Sequence, residues 1–503
     1  MKLTASPVPF RLPRRPAALL LPCLLALSAC SLTPTYQKPE LPASSQFGES
    51  LWKSAQPQAV DVPDAWWSLF QDPVLSDLEA RVNVSNETLL GNLAQLRQAR
   101  GVLGANEAAL FPTLSVTTSA TRAKNAITTS SAGVNTVNPS IVPTFTLSGA
   151  ASWDTDLWGK LAATADASRS QVTASRDQLL AARLSVQISL AQAYFALRTA
   201  EATGDALRRA VTANERNLEL TRNRYQGGLA SSADVAAALS QLKTSQAQLL
   251  DQQILRAQDE HAIAVLLGQP PANFRIEPTG RLPAAPPVPE LLPSTLLQRR
   301  PDIAASERLV AAANAQIGVA RAAFFPDITL SASGGWRANL FDDLVNATHQ
   351  FWSFGPSTTV ALLDFGARDA VIEQARAALD QAAATYRQTV LTAFQEVEDN
   401  LVAAHKLAEE VQVQEEALEA ARRSLEVTMN QYQAGTVSYL NVVTAQTTAL
   451  SAENSWISAR NRQLLAVGQL LKNAAGRWDL PDSAYPTARP AVELGSSAAA
   501  ESR

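Results

Sequence analysis

Two long stretches of this 503-residue chain contain no proline: 126 residues between Pro143 and Pro270, and 124 between Pro356 and Pro481. Both are rich in Ala, Gln, Leu, Arg and Glu, which favour helix. From Lys160 to Gln226, 67 residues, only Gly204 weakens the pattern. A helix of that length runs about 100 Å at ~1.5 Å per residue. No compact domain buries such a helix, so a coiled-coil-like or stacked-helix assembly is implied. Each block breaks once, at Gly227-Gly228 and at Gly435. Glycine tolerates the left-handed conformation that ends a helix, and Ser231 and Ser438 can cap the returning one. Each block therefore reads as a helical hairpin, 160–226 with 232–268 and 367–433 with 439–474.

The two blocks belong to a tandem duplication. Ala108-Ala109-Leu110-Phe111-Pro112-Thr113-Leu114-Ser115 resembles Ala322-Ala323-Phe324-Phe325-Pro326-Asp327-Ile328-Thr329, 214 residues later. Tyr225-Gln226-Gly227-Gly228-Leu229-Ala230-Ser231 resembles Tyr432-Gln433-Ala434-Gly435-Thr436-Val437-Ser438, 207 later, and Trp158-Gly159 precedes Phe365-Gly366 by the same 207. A period this long means duplicated domains rather than a short-repeat solenoid. The repeats occupy 63–268 and 293–475, with a linker at 269–292 and a tail at 476–503.

Ahead of each hairpin the period changes to two. Thr113 to Ser119 sets Leu114 and Val116 against Ser115, Thr117 and Ser119; Asp327 to Ser333 sets Ile328, Leu330 and Ala332 against Thr329, Ser331 and Ser333. Thr144 to Ser148 and Thr358 to Leu362 alternate likewise. Four strands are expected, at about 110–122, 143–156, 324–336 and 353–364, each with one apolar and one hydroxyl face. Flanking aromatics such as Phe111, Trp153, Trp158, Phe325 and Trp352 suit a membrane–water boundary; the edge of a soluble sandwich would alternate in the same way. The polar segments 123–142 and 337–350 fit external loops. Four strands cannot close a barrel, and an open edge is not tolerated in lipid. Two chains would give eight strands and a filled interior; three would give twelve, the first number to leave a wide bore.

The N-terminus reads as an address. Lys2, Arg11, Arg14 and Arg15 precede or flank an apolar run, Ala17 to Leu27, too short to span a bilayer. It ends in Leu27-Ser28-Ala29-Cys30, a bacterial lipobox pattern that makes 1–29 a signal peptide and Cys30 the acylated first residue. An ordinary secretory signal with an incidental cysteine is the other reading. Cys23 follows a proline and is a poorer candidate. Lys and Arg number 42 against 46 acids, for a net charge of −4, which excludes a mainly electrostatic nucleic-acid binder. Two cysteines and three scattered histidines exclude a disulfide framework and a zinc site. No phosphate loop, nucleophile elbow or His-Glu metal helix occurs, so no cofactor and no enzymatic activity are expected.

Taken together these motifs resemble the outer-membrane factors of tripartite efflux pumps, the TolC-like family, and within it the NodT-type lipoproteins. The resemblance rests on the lipobox, Thr35-Tyr36-Gln37-Lys38-Pro39, Trp66-Trp67-Ser68-Leu69-Phe70, Arg299-Arg300-Pro301-Asp302-Ile303, the two Phe-Pro strand openings and Tyr-Gln-x-Gly at both tips. It covers about residues 30 to 480. It implies a mainly α fold with membrane β: long duplicated hairpins forming a periplasmic α-barrel, and four strands per chain of a shared 12-stranded outer-membrane barrel. It also implies an equatorial belt built from about 31–62, 269–292 and the C-terminal segment, followed by a disordered tail. In this resemblance the protein is a homotrimer in the bacterial outer membrane, lipid-anchored, with a large periplasmic portion. Ser31 after the cysteine favours that membrane over the inner one. Its partners are a periplasmic adaptor and an inner-membrane resistance–nodulation–division pump, and its role is passive conduction of drugs or other toxic compounds. A conduit for type I protein secretion is the alternative.

The same family places gate and docking at the hairpin tips. The matching gate positions are Tyr225, Asp234, Tyr432, Asn441 and Thr444; the matching docking positions are Gly228, Leu229, Ala230 and Ser231, and Gly435, Thr436, Val437 and Ser438. These small residues are also plain turn formers. The family often carries aspartates three apart past the second tip, where this chain has Asn441 and Thr444, so that acidic ring is absent. Asp234 remains, either as a ring of carboxylates that could bind a cation or as a helix N-terminal acid facing the dipole. With fewer acids, the gate is expected to lean on Tyr225 and Tyr432.

Overall fold

The computed structural model describes residues 32–39, 65–131, 134–287 and 300–474. Cys30, the signal peptide, Arg299, most of 31–62, the end of the linker and the tail fall outside the described residues. The elements in order are α1 (Pro73–Ser85), α2 (Glu87–Ala108), β1 (Thr113–Ser131), β2 (Val134–Asp154), α3 (Lys160–Gln226) and α4 (Ser232–Leu266), then α5 (Pro301–Ala322), β3 (Asp327–Ala338), β4 (Gln350–Thr359), α6 (Ala367–Gln433) and α7 (Tyr439–Ala474). Helix–strand–strand–hairpin thus occurs twice, as the duplication requires. The chain divides into two compact units: Met1–Pro39, Arg97–Ala174 and Ser306–Thr385 in one, Glu40–Leu96, Ser175–Ala305 and Tyr386–Arg503 in the other.

The first unit carries one antiparallel sheet of order β1-β2-β3-β4. Its register joins Thr113 to Ser152, Ser152 to Ser331 and Ser331 to Gly355. Opposed residues share a face, so this register gathers Leu114, Val116, Leu147, Leu330, Trp352 and Phe354 on one side and Ser115, Thr117, Ser148, Ser333 and Ser353 on the other. The Ser333 and Ser353 hydroxyls meet at 2.8 Å. Leu114, Trp352 and Phe354 are 80%, 79% and 67% exposed, so among the described residues no second layer covers the apolar face. A sandwich would cover it; an apolar outer face opposite a polar one is the arrangement of a barrel in lipid.

One sequence expectation fails here. β1 and β2 continue to Ser131 and Val134, through the 123–142 segment read as a loop. The segment is polar, but Ile127-Thr128-Thr129, Val134, Val137 and Ile141-Val142 are β-branched and hold an extended chain. The second connection, between β3 and β4, is irregular apart from a single turn at Ala347–His349.

At the foot of the sheet Trp158 stacks on Phe325 at 4.7 Å and donates its indole N–H to the Pro326 carbonyl at 2.8 Å. Asp156 accepts the backbone N–H groups of Leu161 and Ala162, both at 2.8 Å, at the start of α3; Asp364 accepts those of Gly366 and Arg368 at the start of α6. The extended segment 32–39 lies along α5. The Pro34 carbonyl accepts from Asn314 at 2.8 Å, the Leu32 carbonyl from Arg321 at 3.5 Å, and the Tyr36 hydroxyl donates to Glu307 at 3.1 Å.

The second unit is organised around buried aromatics and a buried ionic chain. Trp66, Trp67 and Phe70 form a 3-10 turn against Phe195. Asp72 caps α1, whose first residue is Pro73, and accepts the Tyr194 hydroxyl at 2.6 Å. Arg198, 1% exposed, donates to Tyr194 at 3.0 Å, Glu201 at 2.8 Å and the Glu277 carbonyl at 2.9 Å. Arg256 lies 3.3 Å from Glu201 and 3.4 Å from Glu260, and Glu260 accepts the Ile276 N–H at 2.7 Å. These charges fasten the described part of the linker to α3 and α4.

Glu79 on α1 is fully buried, and neither carboxylate oxygen has a hydrogen-bond partner. Burial pushes its pKa well above the ordinary 4.5, and the nearby Arg183 charge only partly opposes this. The unfolded chain therefore releases this proton at lower pH than the folded one, so the stability present below pH 4.5 is lost as pH rises towards the folded value. Glu79→Gln is expected to match the parent protein in acid and to melt at higher temperature at mildly alkaline pH, as a pH series of thermal unfolding would read out.

Candidate functional site at the hairpin tips

Both tips, in the second unit, close by the same backbone device. In the first, the Gly228 N–H bonds to the Tyr225 carbonyl at 3.0 Å and the Leu229 N–H to the Arg224 carbonyl at 2.8 Å. In the second, the Gly435 N–H bonds to Tyr432 and the Thr436 N–H to Gln431, each at 3.0 Å. These paired bonds are Schellman closures. They need a left-handed residue, supplied by Gly228 at φ +72° and Gly435 at φ +79°.

The returning helices start differently. At α4 Ser231 and Asp234 form a reciprocal capping box. The Asp234 N–H donates to the Ser231 hydroxyl at 3.1 Å, and the Ser231 N–H and hydroxyl donate to one Asp234 oxygen at 2.9 and 2.8 Å. Asn441 stands three residues after Ser438, and its N–H bonds to the Ser438 carbonyl at 3.2 Å.

Behind the turns Tyr432, Tyr439, Val442, Leu218, Ala238 and Leu242 form a common core, which ties the two hairpins together. The Tyr432 and Tyr439 rings lie 5.5 Å apart. Burial, with Tyr432 nearby, lifts the Tyr439 phenol to about 12. Tyr432 is clasped from the first hairpin. The Arg224 guanidinium sits 4.6 Å over its ring and donates to its carbonyl at 2.6 Å, while the Thr221 and Tyr432 hydroxyls meet at 3.2 Å. Further along, Glu453 of α7 accepts from Arg209 of α3 at 2.8 Å and Arg422 of α6 at 2.7 Å.

Val437 packs against this core, and the other sequence-selected residues sit outside it. Tyr225, Leu229, Gly228, Ser231, Gly435, Thr436, Ser438, Asn441 and Thr444 are exposed, whereas Ala230, Val437 and Asp234 are half-buried. Tyr225 and Tyr432 share a place in the repeat, but Tyr225 is 50% exposed and Tyr432 is buried. Sequence reasoning missed Arg224 and Thr221. The available signal was the mismatch between repeats, because Gln431 stands in the second where Arg224 stands in the first.

The tips hold no nucleophile–base pair, and among the described residues no cluster of His, Cys, Asp or Glu could hold a metal. Among the described residues, a sheet unpaired at both edges with an uncovered apolar face, together with inert, small-residue hairpin tips, defines a subunit of a membrane channel. Residues 81–269 and 292–476 match the family described as outer membrane efflux protein. The chain is 30% identical over 462 residues to the probable efflux pump outer membrane protein TtgC of Pseudomonas putida, covering 90% of this chain and 93% of the relative. It is 29% identical to the outer membrane protein OprJ of Pseudomonas aeruginosa, covering 90% and 94%. Among solved structures, the outer-membrane channel OprN superposes with a TM-score of 0.81 at 28% identity, over 89% of this chain and all of that one. VceC of Vibrio cholerae gives 0.74 at 28%, over 82% and 98%. The chain belongs to the outer membrane efflux protein family. It is an outer-membrane channel component of an efflux system and not an enzyme.

Proposed function

We propose that this chain forms the lipid-anchored exit duct of a tripartite pump, as a homotrimer whose twelve strands close one barrel. The observation that carries the reading is the four-stranded sheet with its exposed apolar face and two unpaired edges, which one chain cannot seal in lipid. The strap 32–39 supports an anchor at Cys30. Leu32 is held at Arg321, near the start of β3, and Cys30 is two residues away, a reach of about 7 Å. Small toxic compounds are the cargo favoured by the relatives, which include a toluene efflux and an antibiotic efflux pump protein of Pseudomonas putida. The inner-membrane partner is a pump of the resistance–nodulation–division class, reached through a periplasmic adaptor that docks on Gly228–Ser231 and Gly435–Ser438. Tyr225, Asp234, Tyr432, Asn441 and Thr444 surround the gate, with Asp234 completing the capping box of α4. Arg224 and Thr221 hold Tyr432 in the closed arrangement.

Deletion of the gene should lower resistance to a panel of antibiotics and aromatic solvents, and the wild-type copy should restore it. Loss of a secreted protein with unchanged susceptibility would replace this reading with protein secretion. Arg224→Ala removes a charged hydrogen bond and a cation–π contact, together about 2–3 kcal/mol. Conductance of the purified variant in a planar bilayer should rise above the parent's; an unchanged conductance would remove Arg224 from the gate.

A further inference from the structure

The ladder that sorts the sheet into two faces also sorts its charges. Of the charged residues in the four strands, Asp154, Asp327 and Arg337 fall on the hydroxyl face, and Arg122 and Lys124 fall on the apolar one. We propose that Arg122 and Lys124 bind the phosphate-bearing headgroup of an outer-leaflet lipid, one site per copy of the chain, on the outside of the barrel. The inference rests on the membrane-barrel reading above and adds a ligand to its lipid-facing surface.

The register places the pair at the rim of the apolar band. Leu114, Val116, Thr118 and Ala120 precede Arg122 on the same face of β1 and carry no charge. From Leu114 to Arg122 is eight residues, about 27 Å along a strand and about 20 Å of height at a ~40° lean, which nearly crosses a band ~25 Å tall. β1 leaves α2 at Thr113, so Leu114 marks the helix end of the band and Arg122 the outer end. The duplication fixes the height independently. Offsets of 214 and 207 residues make Arg122 the counterpart of Trp336 and Phe145 the counterpart of Trp352. The second repeat thus holds two tryptophans at the level where the first holds a phenylalanine and an arginine. Aromatics at one level form the girdle of a membrane–water boundary, so Arg122 stands within the girdle and Lys124 two residues further out.

The surroundings suit a phosphorylated amphiphile. Arg122 and Lys124 are exposed, and across the ladder they stand opposite Pro143 and Ile141. Phe145 comes next on that face of β2, and Phe341 meets it edge to face at 5.6 Å. The site therefore joins two cations to an apolar floor. Acyl chains lie against Phe145 and Leu147, and a phosphate is held above them by guanidinium and ammonium groups two residues, about 7 Å, apart along the strand. Arginine gives phosphate paired, charge-assisted hydrogen bonds, and long basic stems reach from an apolar surface to a headgroup. The rim acids Asp342 and Asp343 belong to the connection after β3, two strands from β1. Arg337, the third basic residue of the strands, instead lies 5.1 Å over the Phe351 ring on the other face.

The test is lipid retention by the full-length, detergent-extracted protein, read by native mass spectrometry after incubation with lipid A, with its dephosphorylated form, or with lipid A and excess inorganic phosphate. Each variant is measured on protein that still forms pores in a planar bilayer. The parent and Arg337→Gln, which removes a positive charge from the hydroxyl face, should retain lipid A equally. Arg122→Gln with Lys124→Gln should retain on the order of tenfold less, as expected for two charges at a membrane surface. The exchange Arg122→Lys with Lys124→Arg should keep most of the binding. The parent should hold the dephosphorylated lipid no better than the double variant holds lipid A, and inorganic phosphate should not displace the lipid. Equal retention by the pore-forming double variant, or of the dephosphorylated lipid by the parent, overturns the site and leaves the channel reading intact. Displacement by inorganic phosphate makes this a plain anion site and overturns the lipid assignment. If the double variant forms no pores, Arg122→Gln and Lys124→Gln are read singly, and retention at the parent's level in both overturns the site. A parent protein without pores overturns the site and the barrel reading together.

Discussion

Replacing Arg198 by Met should cost about 3 kcal/mol of stability, at the low end of the ~3–5 kcal/mol for breaking a buried ion pair. The guanidinium and its partner Glu201 are 1% and 2% exposed, so the lost partner cannot be replaced by water. The low end is expected because Glu201 keeps Arg256 at 3.3 Å and the Thr279 N–H at 3.1 Å. The Tyr194 hydroxyl and the Glu277 carbonyl lose their donor at the same time. Arg198→Lys should fall between the two, because an ammonium keeps the charge but lacks the planar fork. Combining Arg198→Met with Glu201→Leu should recover more than half of the loss, since a paired apolar replacement removes the stranded charge. Denaturant or thermal midpoints of the purified protein measure all three. A double variant no better than Arg198→Met would mean that the hydrogen bonds, and not the buried charge, set the cost.

Gly335→Val should be more damaging to assembly than any surface change of similar size. A Cβ at that position would lie 2.6 Å from the Ser148 Cα and 2.9 Å from its Cβ, and closer still to the Leu147 carbonyl. β2 and β3 would have to separate, which breaks the joint between the two repeats. The expected result is loss of the proposed oligomer and resistance falling to the level of the deletion strain. Gly149→Val is the matched control. Its Cβ would meet only the Ser115 carbonyl, at 3.9 Å, on the face that already carries Leu147 and Trp352, so assembly should survive. If both variants behave alike, the close approach at Gly335 is not what the sheet depends on.

Much of this architecture can be read from the chain because its signals are periodic or repeated. The absence of proline fixes two helices of 67 residues, and period-two alternation fixes the faces of the sheet. The β1–β2 extension was hidden because Ser, Thr and Asn make 123–142 look like a loop, while the β-branched residues among them decide the backbone. The tips were legible as turns because glycine is the residue that takes positive φ cheaply. The clasp on Tyr432 was not, since Arg224 lies on a different hairpin and no spacing rule links positions 208 residues apart. Buried ionic chains such as Arg198, Glu201 and Arg256 are equally silent, because a charged residue on a long helix looks solvated until its neighbours are known.

The pairing of the strands also sets a pitch. Crossing the sheet along its hydrogen bonds leads from Thr113 through Ser152 to Ser331, which is four residues beyond Asp327, the counterpart of Thr113 in the second repeat. The ladder therefore climbs like a spiral staircase as it passes from repeat to repeat, and the strands must lean to follow it. Such a wall has to meet itself at the correct height as well as the correct circumference. An incomplete ring would be left with mismatched steps as well as a gap, which makes closure an all-or-none event.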